Sequence, residues 1–362
     1  MLARDAGARL RAGVPALAPL AALYGAGLAL SRVLGLRRRT EGPAAARVIV
    51  VGNLEVGGSG KTPLAMHLLE GASAAGRRVA YVSRGYGCAA ARGPHVTVVP
   101  AHDDTFPEGS GGVRILDRKG SPAIEREIGD EAALVAMRVP AAIIAVGGDK
   151  RRAVDTVARM GADVVVVDDA FQSWSLARSL DMVLLDAERP LGSGRLLPAG
   201  SLRERPDALR RADVVVFNGA DDEAAVDAAR SRVARWLSPQ TVALGMRRQI
   251  GLERVAGDAV LAGARLLVVC GVARPERVRA DVAAQGMTIA GEMCFADHHP
   301  YRAADVARIH AAAAGAGADG VVVTEKDWVK LRRFEWGIAV WVARLHVSVT
   351  GADEGLWQRV VR

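Results

Sequence analysis

From residue 47 onward, short β-branched runs alternate with segments whose apolar positions recur at helical spacing. Val48–Val51, Val79–Val82, Ala141–Val146, the valines after Ala162, Asp181–Asp186 and Asp213–Phe217 read as strands. Leu64–Ala75 and Ala132–Arg138 read as helices between them. Continuous apolar strands of this kind are buried on both faces, as in parallel sheets covered by helices. The alternation up to residue 219 therefore predicts a doubly wound parallel α/β sheet. Residues 88–128 are polar, rich in Gly and Pro and weakly patterned, which suggests a flexible excursion. Residues 220–262 break the rhythm with an Arg/Asp/Ala-rich helix and a less regular stretch. A second, smaller α/β unit follows: strand Arg265–Cys270, a helix to about Gln285, strand Met287–Ala290, helix Ala303–Ala314 and strand Gly320–Thr324. The expected organisation is an N-terminal segment (1–40), a nucleotide-binding core (41–245) and a C-terminal α/β domain (246–362).

The N-terminal segment has its own pattern. Ala12–Ser31 carries no charge, with Arg4, Arg9 and Arg11 before it and Arg32 and Arg37-Arg38-Arg39 after it. A cleaved signal peptide sits poorly with the nucleotide motif that follows so soon. A spanning helix has the length, but Pro15, Pro19 and many Ala and Gly residues dilute it, and both flanks are basic. The favoured reading is a monotopic helix lying in the interface against anionic headgroups.

The stretch RVIVVGNLEVGGSGKTP (Arg47–Pro63) holds the chemistry. A strand runs into a Gly-rich turn (Gly57, Gly58, Ser59, Gly60), and Lys61-Thr62-Pro63 opens a helix. That is the layout of a phosphate-binding P-loop. Backbone N–H groups and a helix N-terminus face the anion, Lys61 reaches the outer phosphates, and Thr62 ligates Mg²⁺. Glu55 stands six residues before Lys61, where a Gly is usual, and is expected to point outward. The run ADVVVVDDAFQ (Ala162–Gln172) ends a buried strand in Asp168 and Asp169, a Walker B arrangement for ordering magnesium opposite Thr62.

Three other motifs stay open on spacing alone. SRGYG (Ser83–Gly87) follows a strand, so Arg84 either reaches phosphate or sugar or belongs to an ordinary turn. Asp130-Glu131 favours a first-turn cap over a catalytic base. Asp297-His298-His299 fits proton transfer or substrate orientation better than a metal site, because adjacent histidines rarely serve one ion without further ligands.

Composition narrows the partners. A net charge of +8 suits nucleic acid, anionic lipid or a phosphorylated substrate. An aromatic content of only 4% argues against base stacking. Cys88, Cys270 and Cys294 have no paired-ligand spacing and read as reduced thiols in a cytosolic protein.

Taken together, LYG (Leu23–Gly25), VGNLEVGGSGKTP, SRGYG, GDE, DDAFQ, LLPAGSLRE (Leu196–Glu204), GVARPER (Gly271–Arg277), FADHHPY and TEKD (Thr324–Asp327) occur in an order that resembles the tetraacyldisaccharide 4'-kinase family, the lipid A 4'-kinases of Gram-negative bacteria. The resemblance implies an ATP- and Mg²⁺-dependent kinase at the cytoplasmic face of the inner membrane. Its substrate would be a lipid disaccharide monophosphate, with no nucleic acid and no obligate protein partner. It implies Lys61 and Thr62 on the β/γ-phosphates and metal, and Asp168 and Asp169 as the Walker B acids. It makes Asp130 the base, paired with His298, overturning the preference for a cap. Glu131, Gln172, Arg203 and Glu204 fall at positions expected to shape the metal, nucleotide or sugar-phosphate site, and Arg84 and His299 join them as substrate-site candidates. The chain departs from the family at Glu55, at Ala170 in place of a usual Gly and at Ser173 in place of a usual His. Lys150 or Arg151 stands in for a family Arg. A membrane-recruited P-loop switch ATPase or GTPase is the competing class, although no NKxD-like guanine-reading motif follows a strand. A nucleic-acid-dependent ATPase rests on charge alone.

Overall fold

The computed structural model describes residues 13–34, 46–57, 60–85, 88–93, 95–101, 113–117, 124–258, 263–272, 275–351 and 354–361. Gly58, Ser59, Tyr86 and Gly87 lie outside the described residues, as do the basic residues at positions 4–11 and 37–39.

The described strands form one mixed sheet. In chain order they are β1 (Arg47–Asn53), β2 (Val79–Ser83), β3 (Val96–Val99), β4 (Val113–Ile115), β5 (Ile143–Val146), β6 (Val164–Asp168) and β7 (Leu180–Asp186). They continue with β8 (Val214–Asn218), β9 (Val242–Ala256), β10 (Arg265–Cys270), β11 (Thr288–Cys294), β12 (Gly320–Thr324) and β13 (Ala339–Thr350). The spatial order is β11-β10-β12-β13-β9-β8-β7-β1-β6-β2-β5-β3-β4. The expected all-parallel sheet is thus corrected to a mixed one, because β3 runs antiparallel to β5 and β13 antiparallel to β9. Two strands, β3 and β4, form within the stretch expected to be an irregular excursion.

The central strands are Val- and Ile-rich, and such side chains pack well on a pleated surface. Along β1, Ile49 and Val51 face one layer and Val48 and Val50 the other, and all four are buried. Helices Lys61–Ala74 and Asp130–Arg138 cover the first face, and Lys150–Arg159 and Glu223–Val233 cover the second. The second unit repeats the plan. Ala303–Gly315 and Glu325–Leu331 cover one face, and Pro275–Ala284 covers the other.

A two-stranded ribbon joins the halves. The start of β9 pairs in parallel with β8, and Met246 sits opposite Asn218 at that strand's end. Further along, Leu252 pairs with Ala343, whose other neighbour is Thr324 at the end of β12. Because β13 runs back along β9, β12 and its neighbours point toward the first half. The C-terminal edges of both parallel sections therefore face each other, the edges where open α/β sheets hold their ligands. Residues 247–252 span the gap, roughly 20 Å at 3.3 Å per residue. The expected boundary at 245/246 falls inside β9.

The helix Ala18–Val33 docks beside this cleft. Val14 N–H donates to the Ala199 carbonyl at 2.7 Å and the Tyr24 hydroxyl to the Arg203 carbonyl at 2.9 Å. Leu20, Leu23, Leu30 and Leu34 remain exposed. Among the described residues no helix is long and apolar enough to cross a membrane.

Candidate active site

β1 runs into the turn that ends at Gly60, whose φ of 94° is a conformation only glycine adopts freely. The helix then opens at Lys61, and Pro63 is tolerated in its first turn, where an N–H would have no helical partner. Lys61 Nζ donates to Asn53 Oδ1 at 3.2 Å and lies 3.5 Å from Asp169 Oδ1. The neighbouring strand brings the acids: Val51 of β1 is paired with Asp168 of β6. A Cβ on Gly52 would fall 2.5 Å from Phe171 Cβ, so the turn after β6 can lie against β1 only because residue 52 has no side chain.

The two acids have different surroundings. Asp168 is buried; its Oδ2 accepts from the Thr62 hydroxyl (3.1 Å) and the Tyr81 phenol (2.7 Å), and its Oδ1 from the Asp169 N–H (2.8 Å). Asp169 has a φ of 47° and turns its carboxylate to Arg203, 2.9 Å from both oxygens. Burial alone would raise the Asp169 carboxyl, but the charges of Lys61 and Arg203 outweigh it and hold it below its usual range. Tyr81, fully buried, is pushed well above the ordinary phenol range by desolvation and by the charges of Asp168 and Glu131. Lys150 Nζ caps the carbonyls of Asp168 (2.8 Å) and Asp169 (2.5 Å), and burial pushes its pKa down to about 8. Gln172 bridges Arg203 and the Asn53 carbonyl.

Asp130 opens the helix Asp130–Arg138 of the same half and turns its carboxylate toward the other half. Its Oδ2 meets His298 Nδ1 at 3.1 Å and Lys330 Nζ at 2.9 Å. Burial would raise this carboxyl too, and the hydrogen bonds and charges of His298 and Lys330 hold it low. Glu131 follows Asp130 in the chain, and charges from both clusters act on its carboxyl. Desolvation and then the Asp168 charge raise its carboxyl, while Lys326, Lys61 and His298 pull it down. A cavity of about 320 Å³ opens beside Asp130 and His298, with Cys88, Arg126 and Arg333 on its walls.

The other expected positions separate. Arg84 is exposed at the end of β2, close enough for its charge to depress Lys150. Glu55 lies against Ser201, whose hydroxyl donates to it at 2.5 Å, so it turns toward the 192–201 loop. Glu204 is buried and paired with Arg211 at 3.2 Å. His299 packs among Phe295 and Tyr301 and meets Asp305 at 3.0 Å, which leaves His298 as the histidine that faces Asp130. Sequence reasoning passed over Asn53, Tyr81 and the two lysines of TEKDWVKL. A lone phenol in an otherwise apolar strand, and lysines one helical turn apart, were the available signals.

A Gly-turned helix N-terminus with a lysine, a hydroxyl beside a buried aspartate and a carboxylate–imidazole pair across one cleft define an α/β phosphotransferase. The comparisons name the particular family. Residues 14–362 match the family Tetraacyldisaccharide-1-P 4'-kinase, and the chain belongs to that family. It is 36% identical over 358 residues to the tetraacyldisaccharide 4'-kinase of Halorhodospira halophila, covering 97% of this chain and 96% of that one. It is 41% identical over 298 residues to that of Anaeromyxobacter sp. (strain Fw109-5), covering 78% and 73%. In fold it resembles the crystal structure of LpxK from Aquifex aeolicus in complex with ATP, with a TM-score of 0.70 at 24% identity over 95% of this chain and 97% of that one.

Proposed function

We propose that this chain transfers the γ-phosphoryl group of ATP to the 4'-hydroxyl of a tetraacyldisaccharide 1-phosphate, a step of lipid A biosynthesis. The observation that carries the reading is that the half holding the Thr62–Asp168 pair also carries Asp130, which is hydrogen-bonded across to His298 of the other half. A switch ATPase would need the first pair and has no use for the second or for the cavity beside it.

In this reading the turn through Gly60 is a P-loop, completed by Gly57, Gly58 and Ser59, and Lys61 neutralises the outer phosphates. Thr62 and Asp168 would hold Mg²⁺. The fit is chemical, since a hydroxyl and a carboxylate 3.1 Å apart form the hard oxygen donor set this ion prefers. Bound there, the ion supplies charge neutralisation on the phosphoryl oxygens. Asp169 and Arg203 shape the rim of the nucleotide site. Asp130 takes the proton of the 4'-hydroxyl, whose oxygen forms the new bond to the γ-phosphorus as the bond to the bridging oxygen breaks and ADP leaves. His298 orients Asp130.

The exposed leucines of Ala18–Val33 and the arginines that flank the segment in sequence support a monotopic anchor at the cytoplasmic face of the inner membrane. Substrate headgroup and lipid phosphate then account for the net charge of +8 without nucleic acid or an obligate protein partner. Residues 1–40 would anchor, 41–245 hold nucleotide and 246–362 complete the acceptor side.

The test is to incubate the purified protein with labelled ATP and the disaccharide monophosphate and to weigh the lipid by mass spectrometry. One added phosphate is expected. The Asp130→Ala variant should form product at least about a hundredfold more slowly with ATP affinity unchanged. ATP hydrolysis with no lipid phosphorylation would overturn the proposal in favour of the switch.

A further inference from the structure

The helix Glu325–Leu331 carries two lysines one turn apart, on the same face at i,i+4 spacing. Both reach the pair across the cleft. Lys330 Nζ lies 2.9 Å from Asp130 Oδ2, and Lys326 Nζ lies 3.1 Å from His298 Nε2 and 3.0 Å from Asp297 Oδ1. The helix itself is pinned. Thr324 caps it, accepting from the Asp327 N–H at 3.1 Å. The fully buried Asp327 accepts from Thr324 (2.6 Å), Tyr301 (3.0 Å) and the Gly271 N–H (3.0 Å). Glu325 accepts from Arg138 (2.6 Å) and from the Leu345 N–H (2.9 Å). The lysines therefore reach the cleft from a fixed platform.

We infer that Lys330 and Lys326 are positioning residues for phosphoryl transfer, fixing which oxygen of Asp130 faces the acceptor and which nitrogen of His298 carries the ring proton. The inference rests on the kinase reading above. An ammonium only donates hydrogen bonds. His298 Nε2 must then accept from Lys326, so the ring proton sits on Nδ1 and is donated to Asp130 Oδ2. With Lys330 bonded to that same Oδ2, Oδ1 has no partner among the described residues and is the lone oxygen left for the hydroxyl proton. His298 in this tautomer is a donor to the base and not itself the base. Lys330 is 4% exposed, so its charge acts on Asp130 with little screening by water. The other charged groups around Asp130 are Glu131 beside it and Glu125, Arg126 and Arg333 on the cavity walls. Arg333 is paired with Glu125 at 3.0 Å, which leaves Lys330 as the cation hydrogen-bonded to the base.

The experiment compares wild type with Lys330→Met, Lys326→Met and the double variant Asp130→Ala/Lys330→Met. For Lys330→Met, kcat should fall about ten- to a hundredfold with the KM for ATP unchanged. The acidic limb of its kcat profile should move to higher pH by on the order of one unit, because the cation that favours the carboxylate is gone. The double variant should be no slower than Asp130→Ala alone, since a lysine that acts through Asp130 has nothing left to act on. For Lys326→Met, the ¹⁵N shifts of His298 should change from one Nδ1–H form to a mixture of tautomers. This reading needs no substrate, and it still decides the matter if Lys330→Met does not fold. An unshifted acidic limb, losses that multiply in the double variant, or an unchanged His298 signal would each overturn the inference. Failure of the wild-type enzyme to phosphorylate the lipid would instead overturn the kinase reading and leave the tautomer result standing.

Discussion

Tyr81→Phe removes one atom from the centre of the site. The phenol is fully buried and donates at 2.7 Å to Asp168 Oδ2, and the carboxylate itself is only 3% exposed. Phenylalanine fills the same space, so no cavity opens, and the loss is one hydrogen bond to a charged acceptor, about 1.5–3 kcal/mol. Asp168 keeps Thr62 and the Asp169 N–H, which places the expected loss near the lower end. At about 2.1 cal/mol/K per residue, unfolding a chain of 362 residues carries an entropy of roughly 0.76 kcal/mol/K, so the midpoint should drop by about 2–4 °C. A carboxylate with one anchor fewer should also order magnesium less well. The Mg²⁺ concentration for half-maximal rate should rise several-fold, and kcat should fall by up to about tenfold, the equivalent of 1.4 kcal/mol. The pH dependence has a definite sign. Burial raises the Tyr81 pKa in the folded chain above its unfolded value near 10, so the folded state keeps that proton longer. Its contribution is complete below about pH 10 and declines as pH rises beyond that, a decline Tyr81→Phe should lack. Differential scanning calorimetry and a magnesium titration of initial rates read both effects. A variant that melts with wild type and needs no more magnesium would refute the claim that the phenol holds Asp168.

Three further outcomes are expected. Lys61→Ala should reduce transfer below detection in the labelled-ATP assay while circular dichroism stays native, and retained activity would undo the phosphate cradle. Glu204→Ala should strip Arg211 of its buried partner and cost about 3–5 kcal/mol in urea unfolding, with kcat of the folded fraction near normal; a selective loss of kcat would return Glu204 to the substrate site. Deleting residues 1–31 should weaken sedimentation with anionic vesicles more than it lowers the melting temperature, and equal partitioning of both forms would remove the helix as anchor.

What the sequence disclosed depended on how each segment is buried. β1, β6, β10 and β12 were legible because strands covered on both faces read as unbroken Val, Ile and Leu runs. The helix predicted at Ala303–Ala314 emerges as Ala303–Gly315 for a similar reason, its apolar stripe being regular. β9 was hidden, since its middle reads RRQIG and pairs only with β13, leaving its outer positions exposed and polar. β3 is short and follows a Gly/Pro-rich turn, so it carried too little period to register. At the site, Lys61, Thr62, Asp168 and Asp169 were readable because a local motif fixes them. The contacts of Asp130 with His298 and Lys330 were not, because they bridge 168 and 200 residues of chain. The Asp297-His298-His299 run suggested proton transfer or substrate orientation by itself. Only the resemblance of the GDE and FADHHPY motifs to a known family paired the histidine with Asp130, and the lysines had no signal beyond their one-turn spacing.

The ribbon of β9 and β13 works as a ruler. Its length sets how far apart the two opposed edges stand, and so whether a carboxylate carried by one half can touch an imidazole carried by the other. Adding a pair of residues to both strands would preserve the inward and outward alternation of every side chain, yet push the edges apart by roughly 7 Å, more than twice the 3.1 Å between Asp130 and His298. The middle of this ribbon must therefore keep its residue count for Asp130 and His298 to meet.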